Sequence, residues 1–237
     1  MFNENWYLFN LRYKLLDHIV HNSNLQIFFS EIIGTFCLLL AATGSIVYDA
    51  RLENTLGPVF IAFIHFVGLA IVVYLFGKYS MAHFNPAVTI GYFMAGYIKR
   101  KQVMIYFVAE IIGAFLGSIF VKYTIGDYAK LGTNFPNYEY DIAFFYGVEI
   151  VATILLMAVI LTVVHIKKLN RLATVAIGGI VALDVFFLGP ISGASINPFR
   201  SLAPAIISNM PNDLWLYLTA PFIGAAVVGL AYKKIVR

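Results

Sequence analysis

Six stretches of this chain, 27–47, 57–77, 103–121, 142–164, 173–191 and 214–232, are apolar almost throughout. Each is close to the roughly 20 residues an α-helix needs to cross a hydrocarbon core about 30 Å thick. In that core the backbone has no water to bond, so only helices and closed barrels can span it. The runs do not alternate with period two, which argues against a barrel. None has a broad polar face, which argues against helices packed inside a soluble domain. Charged residues make up 12% of the chain and the mean hydropathy is +0.83, where an ordinary soluble domain carries about 25% charge. The expected class is an all-α membrane protein.

Two further segments are apolar but too short to span. They open with nearly the same phrase: Ala82-His83-Phe84-Asn85-Pro86-Ala87-Val88-Thr89 and Ala194-Ser195-Ile196-Asn197-Pro198-Phe199-Arg200-Ser201, with the two Asn residues 112 positions apart. Asn favours the N-cap and Pro the first helical position, so each phrase predicts a helix start. The half-helices are expected over 85–95 and 197–207. Two such stubs at matching places in a membrane chain point to a site at mid-membrane.

Residues 26–123 hold two spans, a half-helix and a third span, and 142–235 repeat that order. Three spans per half is odd, so the second half enters from the opposite side and the repeat is inverted. Each half opens with an acid in its first span, Glu31 and Glu149. Each closes on a span rich in small residues, Gly113 and Gly117 in one, Gly224, Ala225 and Gly229 in the other. Small residues there let helices approach closely. Residues 124–141 are polar, carry Pro136, and read as an outer loop.

Placing both termini in the cytoplasm puts Arg12, Lys14, Lys78, Lys99, Arg100, Lys101, Lys167, Lys168, Arg171, Lys233, Lys234 and Arg237 inside. That leaves Arg51, Lys122, Lys130 and Arg200, so the 16 basic residues divide 12 to 4. This is the positive-inside pattern, and the net charge of +4 is a topology signal. No basic face for nucleic acid is present. Residues 1–25 lack an apolar core followed by a cleavage site, so a cytoplasmic or interfacial segment is expected rather than a signal peptide. The single Cys37 forms no intrachain disulfide and reads as span packing. No nucleophile–base pair or metal-ligand spacing stands out, so neither an enzyme nor a metal or other cofactor is expected.

A charged side chain within a span is costly and faces a cavity or a partner. Glu31 and Glu149, symmetrically placed, suit a shared structural role, in which each accepts the unpaired N–H groups of the loop that enters a half-helix. The rival reading is a proton-carrying pair in a secondary transporter, with Glu110 and Asp184 as further candidates. The half-helices themselves would meet tip to tip, each aiming its positive end at the junction. There Asn85 and Asn197 would offer amides to a neutral polar molecule.

These two phrases, with Glu31-Ile32-Ile33-Gly34-Thr35-Phe36 and Pro221-Phe222-Ile223-Gly224-Ala225, resemble the aquaporin, or major intrinsic protein, family over about residues 26–235. The resemblance implies six transmembrane helices plus two half-helices. It implies a pore junction at Asn85, Pro86, Ala87, Asn197, Pro198 and Phe199, and a homotetramer with one pore per subunit. It also implies an outer selectivity filter, which by counts from the two Asn residues falls on His65, Val185, Ala194 and Arg200. In such channels selectivity comes from pore width, lining groups, an Arg and the half-helix dipoles. The filter set resembles that of the plant vacuolar-membrane branch.

The expected function is therefore a passive channel for water, with ammonia or another small neutral solute as second substrate, excluding protons and ions. The lipid bilayer, most simply the plasma membrane, is its setting. A glycerol-type facilitator is the alternative within the family, and a proton-coupled transporter the alternative outside it. Several residues depart from the family pattern. Phe199 replaces a small residue and is expected to pack behind its half-helix or narrow the junction. Met81 replaces a Gly and should bend its loop differently. Glu110 stands where Gln is common and needs a partner if charged. Asp184, beside the filter, is expected at the outer vestibule or between subunits.

Overall fold

The computed structural model describes residues 23–236, so the expectation of a cytoplasmic or interfacial segment over 1–25 falls largely outside the described residues. The first helix begins at Asn24. The signal for that start is local. Ser23 and Gln26 form a capping box, each side chain bonding the other's backbone N–H, the reciprocal arrangement that closes two orphan donors.

Among the described residues the principal helices are α1 (Asn24–Arg51), α2 (Gly57–Ser80), α3 (Pro86–Ala95), α4 (Arg100–Thr124), α5 (Ile142–His165), α6 (Ala173–Ser192), α7 (Pro198–Ile207) and α8 (Leu214–Val236). Six of these are long and apolar enough to cross a membrane. The other two, α3 and α7, have 10 residues each, about 15 Å of helix. The long helices exceed the apolar runs by up to a turn at each end. In α4 the extra residues include Arg100 and Lys101, both exposed at the helix start.

The packing of the long helices is twinned: α1 lies against α2 and α4, and α5 against α6 and α8. Of the short helices, α3 packs chiefly on α8, the last span of the other half, while α7 packs on both α4 and α8. The close approaches repeat as well. A Cβ at Gly113 would meet the Ile32 carbonyl at 2.5 Å, and one at Gly224 would meet the Ile150 carbonyl at 2.5 Å. Gly229 does a different job, since a Cβ there would sit 2.4 Å from the carbonyl of Gly91 in α3. It is the contact that lets the first half-helix dock on α8.

Candidate functional site

The two half-helices start as their sequences require. Asn85 caps α3, its Oδ1 accepting from Ala87 N–H at 2.9 Å. Asn197 caps α7, accepting from Phe199 and Arg200 N–H at 3.1 and 3.3 Å. The amide ends reach across the molecule. Asn85 Nδ2 donates to the Ile196 carbonyl at 2.7 Å, and Asn197 Nδ2 donates to the Phe84 carbonyl at 2.9 Å. The helix tips are therefore pinned to each other. Each amide has a second N–H, and both Asn residues line one internal cavity.

The loops feeding these tips are strained in matching places. Met81, Ala82 and Phe84 have φ of 64°, 51° and 51°, and Gly193, Ala194 and Ile196 have 82°, 45° and 46°. Met81 therefore adopts the left-handed bend of its twin Gly193, at a cost of about 1–2 kcal/mol. The two buried acids hold this geometry. Glu31 accepts from His83 and Phe84 N–H at 3.0 and 2.7 Å. Glu149 accepts from Ser195 and Ile196 N–H, both at 2.9 Å, and from Ser192 Oγ at 2.6 Å. Tyr106 Oη and Tyr217 Oη donate to the carbonyls of Ser80 and Ser192 at 2.5 and 2.7 Å, closing the ends of α2 and α6.

The four counted filter positions converge. His65, Val185, Ala194 and Arg200 all line the cavity that holds the two Asn residues, a space of about 50 Å³. At roughly 10–15 Å³ per water site, it admits a few water-sized molecules. His65, Val185 and Arg200 also line an outer cavity of about 300 Å³. These three residues are thus the border between a tight interior and a wide mouth. His65 Nδ1 lies 2.8 Å from the Ile61 carbonyl; that ring nitrogen must carry the proton, which leaves Nε2 as the free acceptor. Arg200 is buried, with 4% of its surface exposed. Its Nη1 donates to the Gly132 carbonyl at 3.0 Å and to Asn134 Oδ1.

Other expected site residues lie elsewhere. Pro86, Ala87 and Pro198 begin the half-helices and are buried, but none lines the cavity. The Phe199 ring does not narrow the junction. It packs edge-on to Phe107, with centroids 5.8 Å apart, and against Leu39, Ala114 and Ala203. Cys37 lies in an apolar groove between α1 and α2, away from the cavity. Asp184 adjoins Val185 in sequence yet is buried and lines neither cavity, which corrects its expected place at the outer vestibule.

Glu110 accepts from Thr89 Oγ1 at 2.7 Å, and Thr89 Oγ1 in turn meets His83 Nδ1 at 2.8 Å. The His83 ring is sandwiched between Tyr92 and Tyr106, with centroids 4.5 and 4.0 Å away. The second half repeats the relay with different atoms: Ser195 Oγ lies 2.5 Å from Ser201 Oγ, which donates to Asn134 Oδ1 at 2.7 Å. Asn134 and Gly132 come from the polar outer loop, and nothing in its sequence periodicity singles them out. At the loop's rim, Tyr138 Oη donates to Asp213 at 2.5 Å. That hydrogen bond to the carboxylate holds the phenol above its usual range.

A family model described as Major intrinsic protein matches residues 18–232. This chain belongs to the major intrinsic protein family. Nodulin-26 of Glycine max is 34% identical over 223 residues, covering 93% of this chain and 81% of that protein. Aquaporin NIP1-4 of Oryza sativa is 33% identical, covering 89% and 77%. "Probable aquaporin TIP2-2" of Oryza sativa is 31% identical, covering 95% and 93%. Whole-chain identity therefore separates the NIP- and TIP-named relatives by only a few per cent. Among solved structures, the aquaglyceroporin from Plasmodium falciparum superposes with a TM-score of 0.80 at 23% identity, over 90% of this chain and 97% of that one. It shares the fold. This major intrinsic protein is thus an integral, multi-pass membrane channel.

Proposed function

We propose that this chain is a passive channel for water that also passes ammonia and other small neutral solutes, while excluding protons and ions. The observation that carries the reading is the make-up of one narrow cavity. Its lining includes donors, the Arg200 guanidinium and the second amide N–H of Asn85 and Asn197, and an acceptor, His65 Nε2, with Val185 and Ala194 supplying small apolar surface. Water and ammonia can both accept hydrogen bonds from the donors and donate one to His65 Nε2. The helix N-termini at the cavity centre carry partial positive charge, and Arg200 a full one, so cations are repelled. Glu31 and Glu149 act as loop anchors here, because both oxygens of each are already engaged by backbone donors.

Stopped-flow light scattering on proteoliposomes tests this. Osmotic shrinkage should be accelerated with low activation energy and no dependence on a proton gradient. Ammonia should enter faster than into empty vesicles, and glycerol should gain little, since Val185 and Ala194 offer no aromatic corner for a carbon backbone. Shrinkage no faster than in protein-free vesicles refutes the channel. A glycerol flux rivalling water refutes the substrate assignment and favours the glycerol-type alternative.

The same reading takes 26–123 and 142–235 as the two inverted halves, with both termini on the cytoplasmic side of the plasma membrane. Lys78, Lys99, Arg100, Lys101, Lys167, Lys168, Arg171, Lys233 and Lys234 support this orientation, since all sit at helix ends on one side. Four copies are the expected assembly, with the apolar faces of α1 and α2 available for contact. A monomer by light scattering in mild detergent refutes that part.

A further inference from the structure

The outer loop contains four consecutive left-handed residues, Ala129, Lys130, Leu131 and Gly132, with φ of 47°, 50°, 58° and 65°. Three of them carry a Cβ, and each costs about 1–2 kcal/mol in that conformation. Such a run persists only where its surroundings over-determine it, and strain of this kind collects at functional sites. What holds it is visible. Leu131 is fully buried against Val47 and Val121. Thr133 Oγ1 donates to the Lys130 carbonyl at 2.7 Å and accepts from Ser208 Oγ at 3.0 Å. The Lys130 ammonium sits 5.4 Å above the Phe135 ring.

The turn delivers two groups to the border of the cavities. One is the Gly132 carbonyl, bonded to Arg200. The other is Asn134, which is 5% exposed and bonds through both ends of its amide. Its Oδ1 accepts from Arg200 Nη1 and from Ser201 Oγ, and its Nδ2 donates to the Gly193 carbonyl at 2.7 Å. One side chain thus ties together the cavity-lining guanidinium, the first turn of α7 and the loop before it. The fit is tight: a Cβ on Gly193 would stand 2.6 Å from Asn134 Nδ2. Asn134 also lines the outer cavity alongside His65, Val185 and Arg200.

We propose that Asn134 is a specificity-determining positioning residue: it fixes the Arg200 guanidinium against the loop wall and so sets the size limit for solutes. The proposal rests on the channel reading above. Arginine has four free torsions, and a guanidinium held through one nitrogen by a backbone carbonyl alone can swing about that bond. With Asn134 in place, two acceptors fix its plane, and the opening beside Val185 has one width. Without it, the charge remains but the opening does not keep that width. Larger neutral solutes then gain more than water does.

The test compares water and urea permeability in proteoliposomes carrying equal, quantified amounts of channel. Asn134→Leu fills the space but bonds nothing, and the urea-to-water ratio should rise at least threefold. Asn134→Asp keeps the acceptor for Arg200 and Ser201, and the ratio should stay within a factor of two of wild type. If Asn134→Leu does not reconstitute, Asn134→Ser, whose hydroxyl is too short to bridge Arg200 and Gly193, should raise the ratio in its place. Rapid wild-type water flux with an unchanged ratio in the Leu or Ser variant overturns the assignment alone. So does a proportional fall in both fluxes, which is what a merely structural residue would give. Wild-type vesicles that shrink no faster than empty ones overturn the channel reading and this assignment with it.

Discussion

Replacing Glu149 with leucine removes the acceptor from three donors at once: Ser195 N–H, Ile196 N–H and the Ser192 hydroxyl. The hydroxyl can rotate toward another acceptor, but the two amide groups are fixed by the backbone. Each buried N–H left unpaired costs about 1–3 kcal/mol, and bonds to a carboxylate lie toward the upper end. Glu149→Leu should therefore destabilise the fold by about 2–6 kcal/mol. Glu31→Leu strands His83 and Phe84 N–H and should cost a similar amount. For a chain of this length, 1 kcal/mol moves the melting temperature by about 2–4 °C, so each variant should melt on the order of 5–20 °C lower. Leucine also removes the cost of burying a charge. That does not rescue the variant, because the donors belong to the backbone and stay behind.

The glutamine variants separate anchoring from proton carriage. Glutamine keeps one acceptor oxygen and puts an NH₂ against the second N–H, donor facing donor. Glu149→Gln should fall between wild type and Glu149→Leu in melting temperature. Its water flux should decline with the fraction of folded protein. Differential scanning fluorimetry in detergent reads the first and stopped-flow shrinkage the second. If both leucine variants melt within about 2 °C of wild type and conduct normally, the anchoring argument is wrong. If the glutamine variants melt normally and lose only a gradient-coupled flux, the carboxylates are proton carriers instead.

His65→Phe removes the one ring acceptor at the border of the two cavities and should cut ammonia flux several-fold more than water flux; equal losses would count against it. Phe199→Ala should lower stability by on the order of 2 kcal/mol through lost packing, with the urea-to-water ratio unchanged, and an altered ratio would return the ring to the junction. Mercurials should inhibit weakly, because Cys37 lies in the groove between α1 and α2; strong inhibition abolished by Cys37→Ser contradicts that placement. Gly224→Ala drives a methyl toward the Ile150 carbonyl, 2.5 Å from its Cβ, and should cost about 1–3 kcal/mol on a thermal melt. A neutral result would mean that α5 and α8 can separate.

Much of the fold was legible because membrane-length apolar runs and Asn-Pro caps are local signals. The half-helices end at Ala95 and Ile207. Counting from the two Asn residues selected His65 and Val185, and both line the same cavity as those Asn residues. What stayed hidden depends on tertiary contact. Asn134 sits in a polar loop with no periodicity, and its bond to Arg200 is made only in the folded chain, after the left-handed turn at 129–132. The direction in which Phe199 points is set by Phe107 on α4, a helix roughly 90 residues away in sequence. Nor does the sequence announce that Met81 tolerates a bend its twin position fills with Gly. The Ser23–Gln26 capping box, by contrast, was readable and would have placed the start of α1 correctly.

The inverted halves divide their labour in a way the duplicated bonds make visible. Where both halves keep the same chemistry, the residues build the scaffold: Glu31 with Glu149, Ser80 with Ser192, Tyr106 with Tyr217, Gly113 with Gly224. Each carboxylate holds the N–H of a residue whose carbonyl is taken by the opposite Asn: Glu31 through Phe84 to Asn197, Glu149 through Ile196 to Asn85. Loosening one loop therefore loosens the other tip, and the junction responds as a unit. Where the halves differ, the pore acquires direction. Val88 stands three residues after Asn85, where Arg200 stands three after Asn197. The relay behind α3 ends on Glu110, a side chain buried in α4, while the relay behind α7 ends on Asn134 at the mouth. Among the described residues, the α7 tip joins a cation, Arg200, to the loop wall through the Gly132 carbonyl and Asn134. The matching place at the α3 tip holds the uncharged Val88.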